Sequence, residues 1–236
     1  PVLLPKTGAI PFPPLYPERQ KDLGVAMVNI GAATTSVLVF EEGDILLVKV
    51  LPVGAAHITN DVAIGLRTNI DVAELIKIQY GSTLSAVGSS ADEVQISQIN
   101  EQEEGTFSRK YLAEIIEARV EEIFNLVDKE LKTVNRSGKL PAGAILTGGG
   151  AKLPGVIDVA KRVFRLPAAI GAPIGVDSAI DKLSNPEYTT AVGLVLWGHA
   201  NHEASRKPFS SIGIKGFKGV SAVTDLVKSI IRIFKS

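Results

Sequence analysis

Two short turns built from glycine and other small residues could bring backbone amides close to a phosphate group. The first turn covers residues 31–35, and the second is formed by Gly148, Gly149 and Gly150 after an apolar stretch at 144–147. Glycine lets a backbone approach a ligand closely, and free N–H groups at a turn or helix start attract anions. Taken singly, each turn also fits ordinary turn chemistry. Neither matches a P-loop, which needs Lys after its last glycine, or the spaced glycines of a Rossmann turn.

A third element that could do chemistry is the pair Glu74 and Lys77. On a helix these residues share one face, because they are three positions apart. A solvated ion pair explains the pair when it is considered alone. Its place between the two glycine turns in the chain is more informative than the pair itself.

A meander of three strands is predicted to position the first turn. Apolar, β-prone stretches at Val25–Ile30, 36–40 and 45–51 are separated by short turns. Two helices follow: Ala55–Leu66, with its apolar residues on one face, and 72–80, for which Asp71 is the predicted N-cap.

The second half of the chain is predicted to alternate helices with strands. The longest helix covers 109–134 behind a Ser108 cap, and its apolar residues recur every three or four positions. A strand at 144–147 leads into the second glycine turn. A helix at 155–164, a strand at 167–174 and a helix at 189–199 complete the pattern. A meander followed by alternating helices and strands predicts a layered α/β fold.

Composition excludes several classes of protein. The 236 residues contain no Cys, so a disulfide scaffold, a Cys-ligated zinc site and a Cys nucleophile are excluded. Basic and acidic residues number 25 each, and this neutral balance argues against a general nucleic-acid binder. The three His residues have no metal-ligand spacing with a carboxylate. The first residue is Pro rather than Met, which indicates a fragment or a processed chain, and residues 1–21 are predicted to form a proline-rich arm.

The C-terminal segment carries a charge opposite to that of the body. Residues 201–236 hold seven basic and two acidic residues, a net charge of +5 that leaves −5 on the rest of the chain. Residues 201–219 are predicted to be a flexible linker. Residues 220–236 have an apolar helical stripe flanked by basic residues, which is typical of an in-plane membrane anchor, although a helix docked on the protein itself or on a partner has the same pattern. The predicted membrane-binding residues are Val220, Val223, Leu226, Val227, Lys228, Ile230, Ile231, Arg232, Phe234 and Lys235.

Together these stretches resemble the second half of the actin, chaperone and sugar-kinase ATPase superfamily, and within it the FtsA family of bacterial cell-division proteins. The resemblance covers roughly residues 22–200, in the order expected of the family. It implies an α/β, ribonuclease H-like lobe of an actin-like ATPase, with subdomain 2A and a subdomain 2B at roughly 56–107. The stretches that carry it are 25–66, 72–82, 111–127, 144–173 and 188–198.

The resemblance also implies that ATP, with Mg²⁺, is the ligand. The first turn would contact the β- and γ-phosphates, Glu74 and Lys77 would face the ribose and purine, and the glycine triplet would form the adenosine loop. The implied contacts are Gly31, Ala32, Ala33, Thr34, Thr35, Glu74, Lys77, Gly148, Gly149 and Gly150.

Departures from the family pattern lower the expected activity. The family usually has Asp at the position of Asn29 and Gly at the positions of Ala32 and Ala33. A neutral amide supplies no carboxylate to orient the Mg²⁺ hydration shell, so weak or absent ATP hydrolysis is expected. No first lobe precedes Gly24 in this sequence, so this half of the site alone should bind ATP poorly.

The resemblance implies a structural role in cell division. The protein would link filaments of the tubulin-like GTPase FtsZ to the cytoplasmic face of the cell membrane at the septum. The C-terminal peptide of FtsZ would dock on subdomain 2B, an anionic membrane surface would bind the terminal helix, and the protein would self-associate into actin-like filaments. A PilM-like pilus-assembly adaptor and, third, a sugar or acetate kinase share the fold and remain alternatives.

Overall fold

A central sheet organises the described part of the chain. The computed structural model describes residues 23–85, 92–173, 183 and 185–204. Within them, five strands form one sheet in the order β3-β2-β1-β6-β7. The strands are β1 (Val25–Ile30), β2 (Thr35–Glu41), β3 (Asp44–Leu51), β6 (Ala144–Thr147) and β7 (Ala168–Ile170).

The predicted meander is confirmed. Strands β1, β2 and β3 pair antiparallel in succession, with a register irregularity between Val39 and Phe40. The turn between β2 and β3 places Glu42 at φ 53° and Gly43 at φ 82°. Two successive positive φ angles define a type I′ turn, whose twist matches that of the strands it joins.

Strand β1 lies where the sheet changes from antiparallel to parallel. It pairs with β2 on one side and in parallel with β6 on the other, and β6 continues in parallel to β7. In the β1–β6 ladder Asn29 stands opposite Thr147. The carboxyl ends of neighbouring parallel strands meet at one edge of a sheet, which brings the two glycine turns together.

Five α-helices occur in the described residues: α1 (Ala55–Leu66), α2 (Ile70–Tyr80), α3 (Arg109–Thr133), α4 (Val156–Phe164) and α5 (Thr189–Ala204). The Ser108 hydroxyl accepts a hydrogen bond from the Tyr111 N–H, which confirms the predicted cap of α3. The predicted cap of α2 is wrong. Asn69, not Asp71, is the N-cap, and its side-chain oxygen accepts from the Val72 N–H at 3.0 Å, so Asp71 lies in the first turn.

A small antiparallel pair, β4 (Glu93–Gln95) and β5 (Thr106–Ser108), lies in the region predicted to be subdomain 2B, and the Phe107 ring of β5 contacts the Tyr80 ring of α2 edge to face. The carboxylate of Glu103, in the connection between the two strands, accepts hydrogen bonds from Thr68 and Asn69 at the turn between α1 and α2. The connection between β4 and β5 is therefore hydrogen-bonded to the turn between α1 and α2.

The main core lies between one face of the sheet and the helices. Ala26, Val28 and Ile30 of β1 face it, and the rings of Phe124 and Phe164 meet there with their centroids 5.0 Å apart. Burying a large apolar side chain contributes about 1.5–3 kcal/mol. The largest fully buried side chains of this core include Phe124, Phe164, Ile58, Ile76, Leu112 and Ile116.

The chain divides into two units after residue 200, and only residues 201–204 of the second unit are described. They are helical. Among the described helices, none combines the length and the apolar character that crossing a membrane requires. The predicted membrane-binding residues at 220–235 lie outside the described residues.

Candidate nucleotide site

The first glycine turn forms the tip of the β1–β2 hairpin. Gly31 N–H donates to the carbonyl oxygen of Thr34 at 2.9 Å and closes the turn. The backbone N–H groups of Ala32, Ala33 and Thr34 donate to no acceptor among the described residues, and all three residues are exposed. The tip therefore offers unsatisfied amide donors, which is what an anion requires.

The residues of this turn do not all serve the same purpose. Gly31 and Ala32 line the pocket described below, whereas Ala33 and Thr34 lie at the exposed tip outside its lining. Thr35 is completely buried, and its hydroxyl donates to the carbonyl of Val53 at 2.8 Å. The Thr35 hydroxyl therefore stabilises the base of the hairpin rather than facing the pocket.

Glu74 and Lys77 form a partly buried ion pair on α2. The Lys77 ammonium lies 2.6 Å from a carboxylate oxygen of Glu74, and it also donates to the Thr59 hydroxyl at 2.9 Å and to the Ala55 carbonyl at 3.4 Å. The side chain of Lys77 is 9% exposed and that of Glu74 is 44% exposed. The interpretation of the pair as a solvated ion pair is therefore wrong for Lys77, because its ammonium group is buried and is hydrogen-bonded to residues of both α1 and α2.

Thr59 is a site residue that sequence reasoning missed. It is buried on α1 and donates its hydroxyl hydrogen bond to Glu74 while it accepts from Lys77. Burial raises the pKa of Glu74, but hydrogen bonds from Lys77 and Thr59 outweigh burial and bring that pKa below its ordinary value. Glu74 is thus held as an anion that can accept hydrogen bonds.

The second glycine turn is held against the end of β1. Gly148 has φ 84°, and a Cβ there would collide with the side-chain oxygen of Asn29 and the carbonyl of Ile30. A Cβ on Gly150 would collide with the side chain of Ile30, whereas one on Gly149 would meet nothing within 4 Å. Gly148 and Gly150 are therefore required for packing, and Gly149 leaves the space in front of the turn open.

These elements enclose one pocket of about 660 Å³. Of the ten predicted contacts, six line it: Gly31, Ala32, Glu74, Lys77, Gly149 and Gly150. Such a volume is in the usual range for small-molecule sites. The lining residues that sequence reasoning missed are Ala55, Ala56, Ile78, Gln79, Gly81, Lys152, Leu153, Pro154 and Glu187.

A salt bridge closes one side of this pocket. Lys152, at the end of the glycine turn, lies 2.9 Å from the Glu187 carboxylate, and both side chains are partly exposed. The Gly148 N–H also donates to the carbonyl of Pro186 at 2.9 Å. The segment before α5 is thus fixed to the glycine turn.

The described residues fit a nucleotide but supply no carboxylate set for Mg²⁺. They contain no cluster of three His, Cys, Asp or Glu that could hold a metal ion. Asn29, at the position where a carboxylate is usual, donates from its side-chain nitrogen to the Thr190 hydroxyl of α5 at 2.9 Å. The amide of Asn29 therefore joins the end of β1 to α5.

The fold is that of an actin-like protein. MreB5 of Spiroplasma citri bound to AMPPNP superposes with a TM-score of 0.60 at 18% identity, covering 79% of this chain and 56% of that one. PilM from a PilM–PilN type IV pilus biogenesis complex gives a TM-score of 0.57 at 21% identity, covering 77% and 47%. At these identities the likeness establishes the fold alone.

Sequence comparison defines the family. Residues 26–193 match the family model of cell division protein FtsA, and the chain belongs to that family. It is 37% identical over 181 residues to FtsA of Pseudomonas aeruginosa, covering 77% of this chain and 43% of that protein. For FtsA of Escherichia coli K12 the identity is 32% over 208 residues, covering 83% and 50%. The chain thus spans about half the length of the relatives it matches or somewhat less.

Proposed function

We propose that the pocket binds ATP as one wall of an actin-like nucleotide site. The observation that carries this proposal is the convergence of two glycine turns and the Glu74–Lys77 pair on one cavity. Exposed amides suit phosphate oxygens, and a carboxylate beside an ammonium suits the hydroxyl groups of a ribose. Two structures of MreB5 with the same fold, one bound to AMPPNP and one to ADP, support this choice of ligand.

In this proposal the chain binds ATP more readily than it hydrolyses it. Asn29 can neither carry a negative charge nor orient a metal-bound water as a carboxylate does. Ala32 and Ala33 place methyl groups where the family usually has glycine. Weak hydrolysis therefore remains the prediction for a protein that contains this lobe.

The proposed biological role is that of a peripheral membrane tether in cell division. The family membership supports the setting at the division septum, and the basic amphipathic pattern of residues 220–236 supports binding to an anionic membrane on its cytoplasmic face. Within this role, the FtsZ C-terminal peptide is the proposed partner of the region at roughly 56–107. The actin-like fold supports self-association into filaments.

An NMR titration tests the proposed ligand. Isotope-labelled chain is titrated with ATP at millimolar concentrations, because half of an actin-like site is expected to bind weakly. Amide shifts at Ala32, Ala33 and Gly149 are expected. Lys77→Met should weaken them, since it removes the ammonium that contacts both Glu74 and Thr59. Lys129→Met, at an exposed position of α3, is the matched control.

Absence of shifts in the pocket at saturating ATP would refute the nucleotide proposal. The partner is tested separately by pull-down with the FtsZ C-terminal peptide and, in parallel, with a pilus inner-membrane peptide. Retention of the second peptide alone would replace the cell-division partner with a PilM-like one.

A further inference from the structure

The first turn of α1 is attached to the tip of the β1–β2 hairpin. Ala55 N–H donates to the carbonyl oxygen of Gly31 at 2.8 Å, and Ala56 N–H donates to that of Ala32 at 2.8 Å. The first N–H groups of a helix have no partner within the helix. Here two of them are satisfied by the hairpin that carries the predicted phosphate contacts.

These two hydrogen bonds also fix the direction of the N–H group in each of the two peptide units. The carbonyl of Gly31 shares a planar trans peptide unit with the N–H of Ala32, and the carbonyl of Ala32 shares one with the N–H of Ala33. In a trans peptide the C=O and N–H point in opposite directions. With both carbonyls turned towards α1, the two free N–H groups must therefore point away from it.

The same bonds make the free N–H groups better donors. A carbonyl that accepts a hydrogen bond polarises its peptide unit, and successive bonds in such a chain strengthen one another. The positive end of the helix macrodipole lies behind both carbonyls and adds to this polarisation. The N–H groups of Ala32 and Ala33 are thus both oriented and strengthened by α1.

Gly54 makes this contact possible. It is the N-cap of α1, and a Cβ built on it would lie 2.5 Å from the carbonyl oxygen of Gly31 and 2.6 Å from that of Ala32. Its φ of −162° is extended backbone that any residue adopts. The collision with the two carbonyl oxygens is therefore the only reason why a side chain does not fit at this position. No side chain fits between the helix and the hairpin without separating them.

We infer that Gly54 is a positioning residue for phosphate binding, which acts by letting α1 orient and polarise the amides of Ala32 and Ala33. The inference rests on the proposed function, because it assigns the phosphate end of that pocket to the hairpin tip. A merely structural glycine would affect all ligands of the pocket equally. A positioning glycine affects those ligands that carry phosphate.

The test compares Gly54→Ala with wild type in NMR titrations with ATP, inorganic triphosphate and adenosine. For Gly54→Ala, binding of ATP and triphosphate should weaken about tenfold, the order expected when two hydrogen bonds are lost or misdirected, and binding of adenosine should not change. Gly65→Ala on the same helix is the matched control, because the close neighbour of its Cβ would be the flexible end of the Ile115 side chain rather than the hairpin backbone. Equal loss for all three ligands, or no loss, would overturn the inference.

A measurement on the wild-type chain covers the case in which Gly54→Ala does not fold. Coupling between the hairpin and α1 is reciprocal, so triphosphate bound at the tip should slow hydrogen exchange at the Ala55 and Ala56 amides. Unchanged exchange on binding would contradict the inference.

The two proposals fail in distinguishable ways. Shifts at Ala32 and Ala33 with both ATP and triphosphate, but none at Gly149 with ATP, would refute the nucleoside end of the site and leave the phosphate inference standing. No shift at these amides with either ligand would refute the inference.

Discussion

At the scale of single residues, the site depends on one hydroxyl that connects two helices. Thr59 of α1 donates to Glu74 and accepts from Lys77, both on α2. Thr59 is itself buried beside Ile58 and Val62, so it is a polar group on the inward face of α1. A buried polar group costs free energy unless it is paired. A threonine at an inward position of α1 was therefore the feature of the sequence that could have indicated a polar contact here.

Replacing Thr59 by Val should raise the pKa of Glu74. The variant keeps the shape of the side chain but removes one of the hydrogen bonds that hold this pKa below its ordinary value. A carboxyl whose pKa is lowered in the folded state stabilises the fold above its unfolded pKa and loses that contribution as the pH falls through the folded pKa. In Thr59→Val this contribution should be smaller, and its loss should be complete at higher pH. A carbon-detected NMR titration of the Glu74 carboxyl measures this, with Thr133→Val as control; an unchanged pKa would contradict it.

Asn29→Asp should introduce a dependence on Mg²⁺ without disturbing the fold. The Thr190 hydroxyl now accepts from the amide of Asn29, and it can rotate to donate to a carboxylate instead. The new charge lies beside the two glycine turns, where it can orient a hydrated cation. ATP affinity is expected to rise several-fold with Mg²⁺ in the variant and to change little in wild type, as measured by calorimetry. If Mg²⁺ affects the two proteins equally, the carboxylate does not decide metal use.

Other residues of the pocket could not be found from the sequence. Lys152 and Glu187 are 35 positions apart, and neither belongs to a pattern that predicts pairing. Their salt bridge depends on the parallel arrangement of β1 and β6 and on the packing of the segment before α5. Contacts of this kind follow from tertiary structure, which local propensity does not encode.

At the scale of elements, α3 and α4 are held together by an aromatic contact in the core. The Phe124 and Phe164 rings are both fully buried, with an interplanar angle of 56°. Phe124→Ala should lower the free energy of unfolding by about 3–5 kcal/mol, because it leaves a cavity between the two helices. Urea denaturation measures the loss. Tyr111→Ala, at a half-exposed position of the same helix, should cost much less, and equal costs would show that the contact is unimportant.

Two substitutions at the start of α2 test which of Asn69 and Asp71 caps the helix. Asn69→Ala should destabilise the fold by about 1 kcal/mol, because it removes the side-chain oxygen that accepts from Val72 N–H together with the hydrogen bond to Glu103. Asp71→Ala should cost about 0.3–0.5 kcal/mol, since its carboxylate acts only on the helix dipole. Thermal unfolding of the two variants decides between them. The reverse order would restore Asp71 as the important residue.

Hydrophobic periodicity predicted the positions of the helices and strands better than it predicted where they end. The predicted bounds of β1, α1 and β6 agree with the structure. The strand predicted at 167–174 is shorter, at Ala168–Ile170, and the last helix is longer, at Thr189–Ala204. At the start of α2 two residues with capping side chains lie two positions apart, and periodicity alone does not choose between them.

At the scale of the whole molecule, the proposed membrane anchor is the feature with the largest consequence for function. The full chain should co-sediment with anionic vesicles, and a chain that ends at Gly219 should not. Three basic residues at an anionic surface contribute roughly 3 kcal/mol, and the apolar stripe supplies the remainder. Neutral vesicles should bind the full chain more weakly. Equal sedimentation of the two chains on anionic vesicles would remove the tether from the proposed function.

The position of β1 in the middle of the sheet determines when the pocket can be completed during synthesis. Its first neighbour, β2, leaves the ribosome almost at once, but β6 follows roughly 120 residues later, and pairing over such distances is slow. The hairpin tip can therefore form early in the nascent chain, while the second glycine turn must wait for translation to pass β6. A polypeptide interrupted before β6 would expose one side of β1 as an unpaired strand edge, a known cause of misassembly.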